Sequence, residues 1–472
     1  MPLLPKSLIL VYLFALLVAP GVVAAQETTP SRSEPRRIEG YRGIWFDLGQ
    51  RSEFGSKYSG GLGTYTAKHH PLAVYAPAAE KTFFVYGGTT QKDERHLLAM
   101  VSYYDHRTNQ VPQPVVVHDK DGVDDPHDNP SIQIDEKGHL WVFVSGRGRK
   151  RPGFIYRSQK PYDIESFQRV AEREFTYPQP WWIDDTGFLF LFTKYTHGRE
   201  LYWSVSNAEG ESWSEDQKLA GMGGHYQVSN QQNGRVITAF NMHPGGNVDL
   251  RTNLYFLQTA DNGQTWTTAA GEKVETPLTV PQNRALVHDY RSEGRLVYMK
   301  DIGFDADGNP VVLYLTSSHH QPGPGGDPRT WNLAHWTGSE WAIHEITHST
   351  HNYDMGSLYI EEDGTWRIIG PTQPGPQQHG TGGEIAVWIS EDQGKNWEKT
   401  RSVTQNSTQN HGYVRRPKNA HEDFYGFWAD GNPDEISKSH LYFTNQSGDQ
   451  VWRLPYDMEE AFATPEMVGG ER

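Results

Sequence analysis

Apolar residues along this chain either alternate with polar ones or come in short runs, and Gly, Pro, Asn and Asp break the pattern at roughly 8–12-residue intervals. That is the period of short antiparallel strands following one another, and helical patterning is almost absent. The strands group into units. Residues 72–86 with 97–118 form the first, 131–144 with 153–158 the second, 181–195 with 200–213 the third and 226–242 with 254–266 the fourth. Residues 295–316 with 331–346, 357–370 with 384–397, and 413–427 with 440–454 complete the series. At roughly 60 residues each, the units have room for four strands and their loops. The predicted fold is therefore all-β, a seven-bladed β-propeller over residues 40–472.

Three units end in a shared hairpin signature: Ser206-xxx-Gly210-xx-Trp213, Thr259-xxx-Gly263-xx-Trp266 and Ser390-xxx-Gly394-xx-Trp397. Asp or Asn with Gly suits a tight turn between outer strands, and Trp suits the gap between neighbouring sheets. The signature resembles the Asp-box of sialidase-like propellers. It speaks for the fold and is silent on chemistry. A propeller must also close, and 40–46 (GYRGIWF) is placed to complete the last blade.

Composition adds the compartment. Lys6, the apolar run 8–19 and the small residues Val23-Ala24-Ala25 read as a cleaved export signal over 1–25, with Gln26 as the first mature residue. The apolar run is short for a bilayer span. Residues 26–39 read as a polar, Pro-containing disordered linker. The chain has no Cys, which removes disulfides, thiolate metal sites and a lipidated cysteine. A periplasmic or secreted location follows, with no membrane insertion. The net charge of −15 argues against nucleic acid as a partner, since phosphate binding wants a basic field. A local cationic pocket for a small anionic sugar remains compatible with it. The 15 Trp and 24 Tyr serve either sheet packing or sugar stacking.

The residues that start the innermost strands are where a propeller carries its chemistry. Here they read His70, His127, Tyr177, His225 (followed by Tyr226), His288, His351 and His411. Each imidazole alone is explained as a turn residue. Converging imidazoles would need a ligand, water or a metal to satisfy them. Acidic residues also occur there (Asp125, Asp128, Asp289, Asp354), each explicable as a turn or cap, and no carboxylate pair of the glycosidase kind stands out. His and Tyr beside Arg or Lys suit another reaction. Elimination from a uronate needs a base for the C5 proton, a cation for the carboxylate and an acid for the leaving oxygen.

Several segments together resemble the BNR-4 propellers: 41–46 (YRGIWF), 57–71 (KYSGGLGTYTAKHHP), 125–131 (DPHDNPS), Tyr177-Pro178, and 371–375 (PTQPG) with Gly382-Gly383-Glu384. That superfamily includes ulvan lyases and the α-L-rhamnosidases of glycoside hydrolase family 145. The lyase resemblance implies His127 and Tyr177 as catalytic groups. It implies a second His where this chain has Arg149, and an Arg where it has Lys194. The rhamnosidase resemblance implies a catalytic His on the opposite face, within 57–71, so that His70 or His69 acts. The sugar carboxylate would then draw on Arg42, Lys57, Lys68, Arg284, Arg415 and Arg416, with His225, Tyr226, His288, His351 and His411 as further contacts.

Three functions follow. The leading one is an exo-acting hydrolase that releases L-rhamnose from α-L-rhamnosyl-1,4-glucuronate caps of an acidic plant or algal polysaccharide such as arabinogalactan. The second is a lyase cutting a rhamnose–uronate glycan of the ulvan type. The third is a non-catalytic sugar-binding propeller. Neither reaction requires a cofactor, a structural Ca²⁺ or other divalent ion in the channel is left open, and the chain is expected to act as a monomer.

Overall fold

The computed structural model describes residues 36–91 and 94–469; the proposed export signal and most of the linker lie outside the described residues. Among the described residues the helices are single turns, and none is long and apolar enough to cross a membrane. The fold is all-β. Among the described residues seven antiparallel sheets of four or more strands follow one another, each a simple meander for at least its first three strands. The first runs through Ala73–Ala76, Lys81–Gly88, Leu98–Asp105 and Val115–Asp119. The third runs through Thr176–Ile183, Gly187–Tyr195, Arg199–Val205 and Gln217–Ala220. The seventh starts with Asn410–Arg415 and Gly426–Gly431 and ends on Glu466–Gly469.

The sheets are apolar on both faces, which explains runs such as FFVY and LWVFV. Successive side chains of a strand point to opposite faces. Phe83 and Val85 therefore pack with Ile132, Val142 and Val144 of the second sheet. Phe84 and Tyr86, on the other face of the same strand, pack with Phe427, Leu441 and Phe443 of the seventh. The other clusters join second to third, third to fourth, fourth to fifth, fifth to sixth and sixth to seventh sheets.

The three Ser/Thr–Gly–Trp hairpins are turns whose Asn or Asp side chain accepts from the backbone ahead. Asn207 Oδ1 takes the Glu211 and Ser212 N–H groups at 2.9 and 3.0 Å, Asp261 Oδ1 takes Thr265 N–H at 2.8 Å, and Asp392 Oδ1 takes Asn396 N–H at 2.9 Å. Gly263 stands at φ +85°, and a Cβ there would lie 2.5 Å from the Trp203 ring of the preceding sheet, so only glycine fits. Trp266 fills the same seam, its ring centroid 6.0 Å from Trp203. Trp266→Ala is expected to destabilise the fold by about 3–5 kcal/mol, as for other buried Trp truncations. Chemical denaturation measures this, and a change under 1 kcal/mol would mean that the seam does not depend on the ring.

The expected closure by 40–46 needs correction. Gly43–Asp47 pairs with Ser437–Ser439 and Ser59–Gly61 in a small sheet of its own. The outer strand of the seventh sheet is Glu466–Gly469, from the far end of the chain. The reason lies in register: Ile44 and Phe46 point into the cluster under the 57–71 segment, and that burial outweighs an edge pairing.

Candidate active site

At the starts of the innermost strands lies a narrow cavity. Its walls include Tyr58, Tyr65, Tyr177, Tyr226, Tyr298 and Tyr353. Its basic groups are Lys68, Arg147, Arg199 and Arg251, with His127 beside them and no carboxylate among the described lining residues. The cavity is thus strongly cationic inside a chain of net charge −15.

Tyr177 is aimed by backbone distortion. It sits at φ +56°, which a bulky residue seldom adopts. The pairing of Thr176–Ile183 with its neighbour slips between Thr176 and Gln179. Such a bulge re-aims a side chain, here into the cavity, and the strained residue is held at a cost of about 1–3 kcal/mol by its surroundings. Tyr413 repeats the device at φ +56°, with a slip between Gly412 and Arg415. The Tyr177 ring lies 5.6 Å from His127, 5.5 Å from Tyr226 and 5.7 Å from His69. Burial, with Tyr226 and Tyr195 nearby, pushes the Tyr177 phenol well above the usual range, so it stays protonated.

His127 is held by Asp125. The single turn Pro126–Asp128 starts at Asp125, whose side chain caps it by accepting His127 N–H at 3.0 Å. The same carboxylate accepts from His127 Nδ1. A proton on Nδ1 leaves the Nε2 lone pair free on a ring that lines the cavity. Burial pulls the His127 imidazole below its ordinary value against the opposing pull of Asp125. Arg147 and Arg151 bind the other Asp125 oxygen at 2.5 and 2.7 Å, which fixes the carboxylate.

Arg251 forms the far wall. Its guanidinium lies 4.9, 4.5 and 5.4 Å from the ring centroids of Tyr226, Tyr298 and Tyr353, and Nη2 is 3.3 Å from the Tyr58 hydroxyl. Burial pushes the Tyr58 phenol up, yet Arg251 and Lys57 pull it below its ordinary value on balance.

The predicted site residues scatter around this cavity. His127, Tyr177, Lys68 and Tyr226 line it. Arg149 does not: its side chain is 87% exposed and the loop turns Arg147 inward instead. Lys194 is drawn to Asp216 at 2.9 Å, while Arg199, the cross-strand partner of Tyr195, lines the cavity. His69 is buried beside it, donating from Nε2 to the His127 carbonyl at 3.0 Å. His70 does not line the cavity; its ring packs 5.6 Å from Trp181, four residues further along the strand than Tyr177. Burial takes both imidazoles down to about 3.

The converging histidine ring is replaced by a tyrosine ring. His225 spends Nδ1 on the Asn241 carbonyl and Nε2 on Met222 N–H. His351 Nδ1 accepts from Tyr353 N–H, His411 lies between Trp428 Nε1 and Ser407 Oγ, and His288 pairs with Glu293. Arg415 donates to the Thr64 and His69 carbonyls, so it braces the 57–71 segment. Arg416 reaches both Asp301 oxygens at 3.3 Å. Lys57 is paired with Asp249, Arg42 with Asp457 at 2.9 Å, and Arg284 is an exposed surface group. Sequence reasoning missed Tyr58, Tyr65, Arg147, Arg199, Arg251, Tyr298 and Tyr353. A signal for one was there: His351-Asn352-Tyr353 places a Tyr just after the His, as His225-Tyr226 does.

An all-β, propeller-like protein with a cationic, tyrosine-walled cavity is the class that fold and site define. The chain belongs to the BNR repeat-containing family, whose model matches residues 84–349. Among solved structures it is similar to a polysaccharide lyase of the ulvan lyase family PL25, at 16% identity over 87% of this chain and 96% of that one, TM-score 0.69. The complex titled as bound to -[GlcA(1-4)Rha3S]- gives a TM-score of 0.68 at the same identity and coverage. The polysaccharide lyase Uly1 follows at 12% identity, 88% of this chain and 100% of that one, TM-score 0.58. At these identities the likeness is one of fold. No curated protein matches the chain by sequence.

Proposed function

We propose that this chain is an exported polysaccharide lyase that cuts a uronate-containing glycan by β-elimination. The observation that carries the reading is the convergence of His127, Tyr177 and three arginines on one cavity without a carboxylate. An acidic glycan of the glucuronate–rhamnose kind is the substrate class, in keeping with the oligosaccharide in the similar PL25 complex. The seven sheets are then the blades of one closed propeller, a reading supported by the packing of the first sheet on the seventh.

The cations neutralise the uronate carboxylate, which acidifies the C5 proton. His127 Nε2 takes that proton. The C5–H electrons form the C4=C5 double bond, the C4–O4 bond breaks, and the Tyr177 hydroxyl gives its proton to O4. The proton on His127 then returns to the Tyr177 phenolate. The opposite pulls on the two groups, imidazole down and phenol up, support this reading by favouring an unprotonated ring and a protonated phenol.

The hydrolase reading through His70 or His69 has less support, since neither ring lines the cavity. Incubating the purified chain with glucuronate–rhamnose oligosaccharides, while following ultraviolet absorbance and free rhamnose, decides among the readings. We expect rising absorbance from an unsaturated uronate, kept in His70→Ala. Free rhamnose without absorbance, lost in His70→Ala, would instead establish the hydrolase. Binding without any product would leave a sugar-binding propeller.

A further inference from the structure

We propose that His106, His421 and Asp423 form a zinc-type divalent metal site that pins the seventh sheet to the first. The site is independent of the cavity and of the proposed reaction. His106 directly follows Leu98–Asp105 of the first sheet. His421 and Asp423 lie in the connection between Asn410–Arg415 and Gly426–Gly431 of the seventh. The two segments already meet there, with Lys418 N–H donating to the Ala73 carbonyl at 2.8 Å and Tyr75 N–H to Lys418 at 2.9 Å.

One ligand atom from each of the three side chains lies within 4.8 Å of the other two. Asp423 Oδ2 is 3.6 Å from His421 Nδ1 and 4.0 Å from His106 Nδ1. A tetrahedral zinc with bonds of about 2.0 Å sets its ligands about 3.3 Å apart, so small side-chain rotations suffice.

His106 supplies an independent sign. Its side chain is only 5% exposed, and Nδ1 has no hydrogen-bond partner while it faces Asp423. Its other nitrogen is engaged with Thr82 Oγ1 at 2.8 Å. An unsatisfied buried ring nitrogen is unfavourable unless something occupies it. The His421 ring sits 3.9 Å away, and its Nδ1, which now accepts Asp423 N–H at 3.2 Å, would exchange that bond for the metal. Tyr75 and Tyr104 wall the pair. Two imidazoles with one carboxylate suit Zn²⁺ and leave a fourth position for water, whereas Ca²⁺ asks for oxygen ligands. In a chain without Cys such a site does the work of a cross-link between distant segments.

The test uses the whole chain, stripped with chelator, reloaded with ZnCl₂ and dialysed. Metal content and Tm are then read together. We expect close to one zinc per chain and a Tm raised by several degrees, with no rise from CaCl₂. His421→Ala and Asp423→Ala should each lose the retained zinc and the Tm response. Both side chains are partly exposed, so these variants should fold, and circular dichroism of the metal-free forms checks that. Failure of the wild-type chain to retain zinc would overturn the proposal, as would equal retention by both variants.

Discussion

Replacing Tyr177 by Phe is expected to lower kcat for elimination by about 10²–10⁴-fold, the range for loss of a positioned acid, and to move KM little. The phenol carries the one proton that the proposed reaction needs at O4. The ring keeps its contacts with His127 and Tyr226, so the cavity walls stay. His127→Gln should cost a similar factor by removing the base. The pH profile gives a second readout. His127 acts unprotonated and its value in the fold is depressed, so activity should hold through neutrality and fall only as pH drops below the ordinary imidazole range. On the alkaline side, Tyr177 stays protonated past the usual phenol range. Retention of more than a tenth of kcat in Tyr177→Phe would remove Tyr177 from the proposed mechanism.

The chain is also expected to lose much of its stability between pH 6.5 and pH 5. Burial takes His69, His70 and His351 down to about 3 and His225 to about 4. Above pH 6.5 these rings are neutral in folded and unfolded chain alike, so their full stability is present there. Below it the unfolded chain binds protons that the fold refuses, and each ring removes about 1.4 kcal/mol per pH unit. Four rings over that interval amount to about 5–8 kcal/mol, against a typical total of about 5–15. Thermal unfolding at pH 8, 6.5 and 5 measures it. A Tm that is flat over this range would show that water reaches these imidazoles.

The strand pattern and the three hairpins were legible because they rest on local rules: period two, glycine at positive φ, and Asp or Asn as turn acceptor. The site was legible only in part. Two of its residues, His127 and Tyr177, stood in recognisable local strings. Others were lost to the geometry of strands, where a one-residue offset turns a side chain to the opposite face. So His225 is enclosed while Tyr226 lines the cavity. Lys194 and Arg199 sit on paired strands, and which of them reaches inward depends on register, not on sequence spacing. Arg251 had no signal at all. The single turn Val248–Leu250 brings it in, with Nε bonded to the Val248 carbonyl at 2.8 Å.

The two-sided burial of every sheet has an evolutionary reading. Stacking depends on the middle of each strand and asks only for apolar volume, which Val, Ile, Leu, Phe and Trp can exchange among themselves. The groups that meet a ligand sit at strand starts and in loops, outside those seams. Mutation can then rewrite the chemistry without disturbing the architecture, and rewrite the packing without disturbing the chemistry.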